Sequence, residues 1–118
     1  MNIQELKEKI NKKENELNKL KEELKNFAEY ESIMILNPKT TIEDLSELKK
    51  ELEKIVGDFE KYEELGIKQL AYPIQNQNKG FYIDIEFTGT YSTVSDLEKY
   101  YRKNENIMKF VTIKKEDF

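Results

Sequence analysis

The chain has 118 residues, of which 37% are hydrophobic and 37% are charged, and its net charge is −4. This length suits one domain, and so little apolar material predicts a small core built from strictly amphipathic elements. The absence of cysteine and histidine excludes disulfides, thiolate metal sites and the commonest general base near neutral pH, so it argues against an enzyme.

The chain has no apolar run approaching the roughly 18 residues needed to cross a bilayer. The first thirty residues mix Lys and Glu without an apolar block, which matches neither a secretory signal nor a transit peptide. We therefore expect a cytoplasmic protein with no membrane partner, no metal and no cofactor.

Residues 3–27 carry a heptad repeat, interrupted only by Lys13. Two apolar positions in seven form a stripe narrower than that of an ordinary globular helix and typical of a coiled-coil seam. We therefore assign residues 1–28 to a long N-terminal helix. The repeat ends at Phe27, and the residues predicted to pair with another helix are Ile3, Leu6, Ile10, Leu17, Leu20 and Leu24.

Charges beside this stripe bear on its partner. With the first isoleucine of the repeat at position a, a parallel pair of copies brings Lys9 opposite Glu14. The same geometry brings Glu16 opposite Lys21, so both contacts are attractive. The pattern suits a parallel homodimer and also fits a groove on another helix. A third interpretation is a solvated amphipathic helix whose stripe packs on its own domain or on a neighbour.

The periodicity changes after Ala28. Residues 30–36 form a short apolar run with strand propensity, which Asn37-Pro38 closes. Thr40 and Glu43 have the spacing of a capping box and predict the start of a helix that ends at Gly57. The apolar positions of this helix are Leu45, Leu48, Leu52, Ile55 and Val56.

The second half of the chain predicts three more strands and one helix. Residues 58–70 form a highly charged strand suited to a sheet edge, residues 75–80 a polar loop, and residues 81–87 an alternating strand with one buried face. A helix over 92–104 and a strand over 107–114 follow. The order βαββαβ predicts a ferredoxin-like α+β domain over residues 29–118: a four-stranded antiparallel sheet with two helices on one face.

Three sequence blocks resemble the bacterial small-subunit ribosomal protein six family. Residues 66–74 read Gly-Ile-Lys-Gln-Leu-Ala-Tyr-Pro-Ile, and blocks at 30–38 and 102–112 agree in order and spacing. The resemblance covers residues 29–116 and leaves the heptad helix outside. It implies a structural, non-enzymatic protein that binds the central domain of small-subunit ribosomal RNA jointly with small-subunit ribosomal protein eighteen.

Residue types in and beside these blocks point to RNA contacts. Residues 1–28 hold seven Lys and six Glu, so the rest of the chain, with 13 basic and 18 acidic residues, carries a charge of −5. A domain this acidic must rely on a few local cations and on a protein partner rather than on a broad positive field. The candidates for RNA contact are Lys68, Tyr72, Lys79, Arg102, Lys103 and Lys109.

The candidates also have plain structural interpretations. Lys68 and Lys109 are equally compatible with edge-strand charges, and Tyr72 with a partly buried core tyrosine. Arg102 is the only arginine of a Lys-rich chain, and its resemblance to a family position where Arg is usual favours a phosphate contact, since a guanidinium binds phosphate in a planar, bidentate way.

Two other function classes share this topology. An RNA-recognition motif stacks bases on exposed aromatics of its third strand, whereas Asp84 and Glu86 here occupy the middle of the exposed face and repel phosphates. The remaining alternative is a coiled-coil dimer outside the ribosome that presents two ferredoxin-like domains to protein partners.

Overall fold

The computed structural model describes residues 2–117, so Phe118, the last residue of the predicted domain, lies outside the described part. Its elements are α1 (Ile3–Leu24), β1 (Ala28–Leu36), α2 (Ile42–Val56), β2 (Lys61–Ile74), β3 (Gln77–Gly89), α3 (Tyr91–Lys103) and β4 (Ile107–Asp117). The strands form one antiparallel sheet in the order β2-β3-β1-β4. The ferredoxin-like arrangement and the edge position of β2 are confirmed.

The core lies between one face of the sheet and helices α2 and α3. Alternate residues of β1 and β3 enter it, and for β3 the alternating sequence predicted this. Each large apolar side chain buried here contributes about 1.5–3 kcal/mol of transfer free energy. The fully buried apolar side chains are Met34, Leu36, Leu48, Leu52, Ile83, Ile85, Phe87, Leu97 and Tyr101.

A small polar network lies inside this core. The Ser32 side chain is fully buried, and its Oγ lies 2.7 Å from the Tyr101 hydroxyl and 3.0 Å from Thr112 Oγ1. These bonds join β1 to α3 and β4 and satisfy hydroxyls that would be costly to bury unpaired. Burial also raises the pKa of the Tyr101 phenol.

The start of α2 differs from the sequence prediction. Thr41 is the N-cap residue, and its Oγ1 accepts a hydrogen bond from the Asp44 amide at 3.1 Å. Thr40 is not the cap because its hydroxyl instead donates to the Asn37 carbonyl oxygen at 2.6 Å in the preceding turn. Gly57, at φ +81°, ends the helix as predicted.

The hairpin that joins β2 and β3 is longer than predicted. The polar loop expected over residues 75–80 is wrong, since only Gln75 and Asn76 separate the strands. Both have positive φ (49° and 65°), the geometry of a tight hairpin turn whose twist matches that of the strands. Pairing of β1 with β3 ends at Leu36–Phe81, so the hairpin beyond Phe81 projects past the end of β1 as an arm, residues 67–80.

Helix α1 stands apart from this core. Its six predicted pairing residues are between 49% and 73% exposed, and none of its residues is buried. The interpretation in which this stripe packs on its own domain is therefore wrong. The helix ends at Leu24, which leaves Phe27 outside it, and Ala28 already belongs to β1. The molecule is accordingly elongated, with principal extents of 74, 26 and 21 Å.

Candidate RNA- and partner-binding surfaces

The face of the sheet opposite α2 and α3 is here called the open face. It carries apolar side chains on the neighbouring strands β1 and β4. Ile33 of β1 pairs with Val111 of β4, and Ile35 pairs with Lys109. Val111 is 52% exposed, and Ile113, on the same face of β4, is 49% exposed. The apolar row of the open face consists of Ile33, Ile35, Val111 and Ile113. Neighbouring exposed apolar side chains of this kind are typical of interaction surfaces.

A groove of about 420 Å³ lies between the open face and the hairpin arm. Gly80 allows the close approach, because a Cβ there would overlap Cγ2 of Ile35 and meet Leu70 Cδ2 at 3.5 Å. The groove is mostly apolar and has polar groups at its rim. Its lining residues are Ile33, Ile35, Leu70, Ala71, Tyr72, Ile74, Tyr82, Lys109, Phe110 and Val111.

Three of the six predicted RNA-contact residues meet at this groove. Lys109 and Tyr72 line it, and the Lys68 ammonium lies 5.7 Å from the ring centroid of Tyr82, another lining residue. Tyr72 is 82% exposed, so the interpretation of this side chain as a core tyrosine is wrong. Lys68 is also more than an isolated charge on an edge strand, because its ammonium lies over the ring of Tyr82.

Lys79 lies on the other side of the arm. It pairs with Gln69, whereas Lys68 pairs with Gly80. Successive strand residues point to opposite faces, so Lys79 and Lys68 are presented on opposite sides of the hairpin. Both side chains are exposed.

Arg102 and Lys103 form a second group in the last turn of α3. The Arg102 guanidinium lies 3.3 Å from Glu98 Oε2 and 5.7 Å from the ring centroid of Phe110 in β4. Because Lys109 and Phe110 are neighbours on a strand, Arg102 and Lys109 flank the edge strand β4 from its two sides. A helix C-terminus also favours cations through its dipole, which is a structural reason for this placement.

The carboxylates in the middle of the open face are largely neutralised. Asp84 is only 8% exposed, and its Oδ2 accepts a hydrogen bond from Lys61 at 3.0 Å. Lys115 donates to Glu86 Oε1 at 2.8 Å, which lowers the pKa of Glu86. Partial burial, with the Asp84 charge second, raises the pKa of Glu31. The face therefore carries a band of paired charges beside the apolar row.

The sequence interpretation missed the apolar open face, although a signal for it exists. Residues 33–36 are continuously apolar rather than alternating. Such a run is typical of a strand that contacts other groups on both faces. The burial of Asp84 had no comparable signal, since it depends on Lys61 of β2, 23 residues earlier.

Among residues 2–117, no group of three or more carboxylate side chains is arranged to hold a metal ion. None of the described helices combines the length and the apolarity needed to span a membrane.

Comparison with known proteins agrees with this architecture. The family model for Ribosomal protein S6 matches residues 29–114. The small ribosomal subunit protein bS6 of Nitratiruptor sp. is 41% identical over 92 residues, covering 74% of this chain and 71% of that protein. The bS6 protein of Nitratidesulfovibrio vulgaris is 31% identical over 95 residues, covering 77% of this chain and 94% of its own.

Among solved structures, the 30S ribosomal protein S6 of Thermotoga maritima aligns with a TM-score of 0.69 and 28% identity, over 75% of this chain and 88% of that one. The match of the family model begins one residue after Ala28, so α1 lies outside it. The family indicated by the three sequence blocks is confirmed. The chain therefore belongs to the ribosomal protein S6 family, whose members are structural, non-enzymatic components of the small ribosomal subunit.

Proposed function

We propose that this chain, as a component of the cytoplasmic ribosome, binds the central domain of small-subunit ribosomal RNA jointly with small-subunit ribosomal protein eighteen. The observation that carries the proposal is the family match over residues 29–114, which contains all six candidate RNA contacts. The alternative of a coiled-coil module outside the ribosome finds no support in these comparisons.

The cations around β4 form the first RNA contact. Arg102 remains 64% exposed at its side chain despite the ion pair with Glu98, so most of its donors are available to phosphate oxygens. Lys103 and Lys109 are exposed beside it. Together they let an RNA backbone pass around the edge of the sheet, where phosphate contacts position the protein.

The hairpin arm forms the second RNA contact. It projects beyond β1 and presents Lys68, Tyr72 and Lys79. A tyrosine that is 82% exposed near the tip of the hairpin is available for stacking on an unpaired base. Such a contact contributes about 1–3 kcal/mol. Lysines on both sides of the arm hold the backbone that flanks this base.

The apolar row of the open face is the docking surface for the protein partner. Ile33, Val111 and Ile113 offer apolar area next to the paired carboxylates of β3. A partner basic enough to bind RNA complements a domain of charge −5. RNA and partner then contact adjoining surfaces that share Lys109.

The RNA contact is tested by Arg102→Ala in a filter-binding titration of a central-domain RNA fragment with protein eighteen present. Loss of a charge-assisted phosphate contact costs about 1.5–3 kcal/mol, or roughly tenfold or more in affinity. Arg102→Lys should recover part of that loss. Lys50→Ala, on the exposed side of α2, is the matched control. Unchanged ternary affinity for Arg102→Ala removes this residue from the RNA surface.

The partner surface is tested by Val111→Asp, with Val111→Thr as a control that keeps the branched shape. Burying an unpaired carboxylate in an apolar interface should weaken binding of protein eighteen by about tenfold or more, measured by calorimetry without RNA. The Thr variant should lose much less. Equal affinity of the Asp variant and the unaltered protein places the partner elsewhere.

A further inference from the structure

Helix α1 presents an apolar stripe that its own chain leaves uncovered. The helix spans Ile3–Leu24, and the six apolar residues of its seam are 49–73% exposed. A short isolated helix of this kind gains most of its stability from packing of its apolar face. We therefore expect the stripe to pack against another apolar surface, and the charges beside it indicate which surface that is.

The flanking charges complement those of a second copy in parallel orientation. Lys9 of one copy lies beside Glu14 of the other, and Glu16 lies beside Lys21. Two-fold symmetry repeats each contact, which gives four attractive pairs within the observed bounds of the helix. The seven seam layers then run from Ile3 to Leu24, and only the one at Lys13 is not apolar.

Antiparallel arrangements fit less well. Full overlap sets Glu14 against Glu14 and Glu16 against Glu16, so like charges meet along both edges of the seam. An antiparallel register shifted by one heptad restores attractive pairs. It leaves Leu24 outside the pairing and sets Lys13 against Ile10 twice. The parallel register buries the most apolar surface without repulsion at its edges.

The identities of the seam residues favour two helices. Isoleucine at position a with leucine at position d is typical of parallel dimers. The N-terminal half of the seam has this pattern at Ile3, Leu6 and Ile10, while leucine occupies position a at residues 17 and 24. Lys13 can extend its ammonium out of a two-stranded seam into water, which it cannot do in a larger bundle. We propose that α1 is a self-association element through which two copies of this chain form a parallel two-stranded coiled coil, independently of the proposed RNA contact.

The first test is sedimentation equilibrium of the full chain over a concentration series from low to high micromolar. We expect the mass to rise toward that of a dimer. Leu17→Asp, in the middle of the seam, should weaken association by about tenfold or more. Asn18→Asp, one residue along and outside the seam, is the matched control and should associate like the unaltered chain. A monomer at every concentration, or a dimer undiminished by Leu17→Asp, overturns the proposal.

The second test determines orientation. The chain contains no cysteine, so a single Ile3→Cys variant forms a disulfide only between introduced residues. In the parallel dimer the two cysteines share one layer and cross-link on mild oxidation. In either antiparallel register they lie about 25 Å or more apart along the axis and cannot react. A dimer that fails to cross-link overturns the parallel arrangement. RNA binding is measured separately, in the filter-binding titration, so failure of one proposal is distinguished from failure of the other.

Discussion

Single side chains decide the electrostatics of the open face. Asp84 lies on the central strand β3, and its Oδ2 accepts a hydrogen bond from Lys61. Its Oδ1 is buried and has no hydrogen-bond partner in the described part of the chain. The sequence correctly places Asp84 on the face away from the core. It does not reveal that Lys61 covers the carboxylate, since cross-strand pairing depends on the register of β2.

Replacing Glu31 by Gln should stabilise the fold at neutral pH. The pKa of Glu31 is raised in the folded state, so the folded protein holds this proton more tightly than the unfolded chain does. The resulting loss of folding stability is absent below the ordinary glutamate pKa of 4.5. It develops as the pH rises through the raised pKa of the folded state. A Gln amide can also donate to the unpaired Asp84 oxygen.

We expect the free energy of unfolding of Glu31→Gln to rise by less than about 1 kcal/mol at pH 7, because the group is screened by solvent. Urea unfolding at pH 7 and at pH 4 measures the difference, which should shrink at the lower pH. Glu29→Gln, on the same face of β1, is the control. A variant less stable than the unaltered protein at pH 7 contradicts the argument.

Among the elements, the β2–β3 hairpin differs most from its sequence prediction. Alternating apolar residues correctly identified β3, the many charged residues of β2 correctly indicated an edge strand, and Gly57 marked the end of α2. Residues 75–80 contain no apolar side chain, so periodicity could not extend the strands through them. Backbone pairs on both sides of the turn extend them, with a bulge at Gly66 and a second irregularity between Gln69 and Ile74.

The bulge predicts the effect of Gly66→Ala. Gly66 has φ +84°, and a Cβ added there meets nothing within 4 Å, so backbone strain is the only cost of the substitution. We expect a loss of about 1–2 kcal/mol in unfolding free energy, measured by denaturant unfolding. Gln69→Ala, exposed on the same strand, should lose far less. Equal stability of the two variants would show that the left-handed conformation at Gly66 costs nothing.

At the scale of the whole molecule, a compact domain and a free-standing helix share one chain. The heptad pattern correctly predicted α1 but not its termination three residues before Phe27, because a seam pattern does not mark where the chain turns into a strand. The net charge of −5 outside residues 1–28 and the cations at β4 were visible in sequence. Their arrangement into a groove-side group and a group at the end of α3 required the sheet register.

The separation predicts that the domain unfolds independently of α1. All seven tyrosines lie outside α1, so tyrosine near-ultraviolet circular dichroism reports on the domain alone. Leu17→Asp should leave the urea midpoint of this signal unchanged in dilute protein, since no residue of α1 is buried. Leu97→Ala, in the core, should lower stability by about 2–5 kcal/mol. A shifted midpoint for Leu17→Asp would reveal contacts between helix and domain.

The position of β1 between β3 and β4 has a consequence for synthesis of the protein. β1 emerges from a translating ribosome before either of its neighbours, and the bond from Ser32 to Thr112 spans 80 residues. Helix α1 buries no residue and so does not wait for later parts of the domain, whereas the core around Ser32 can close only after β4 has been made. Until then the edge of β1 that pairs with β4 stays open, and an open strand edge is a template for pairing with another chain.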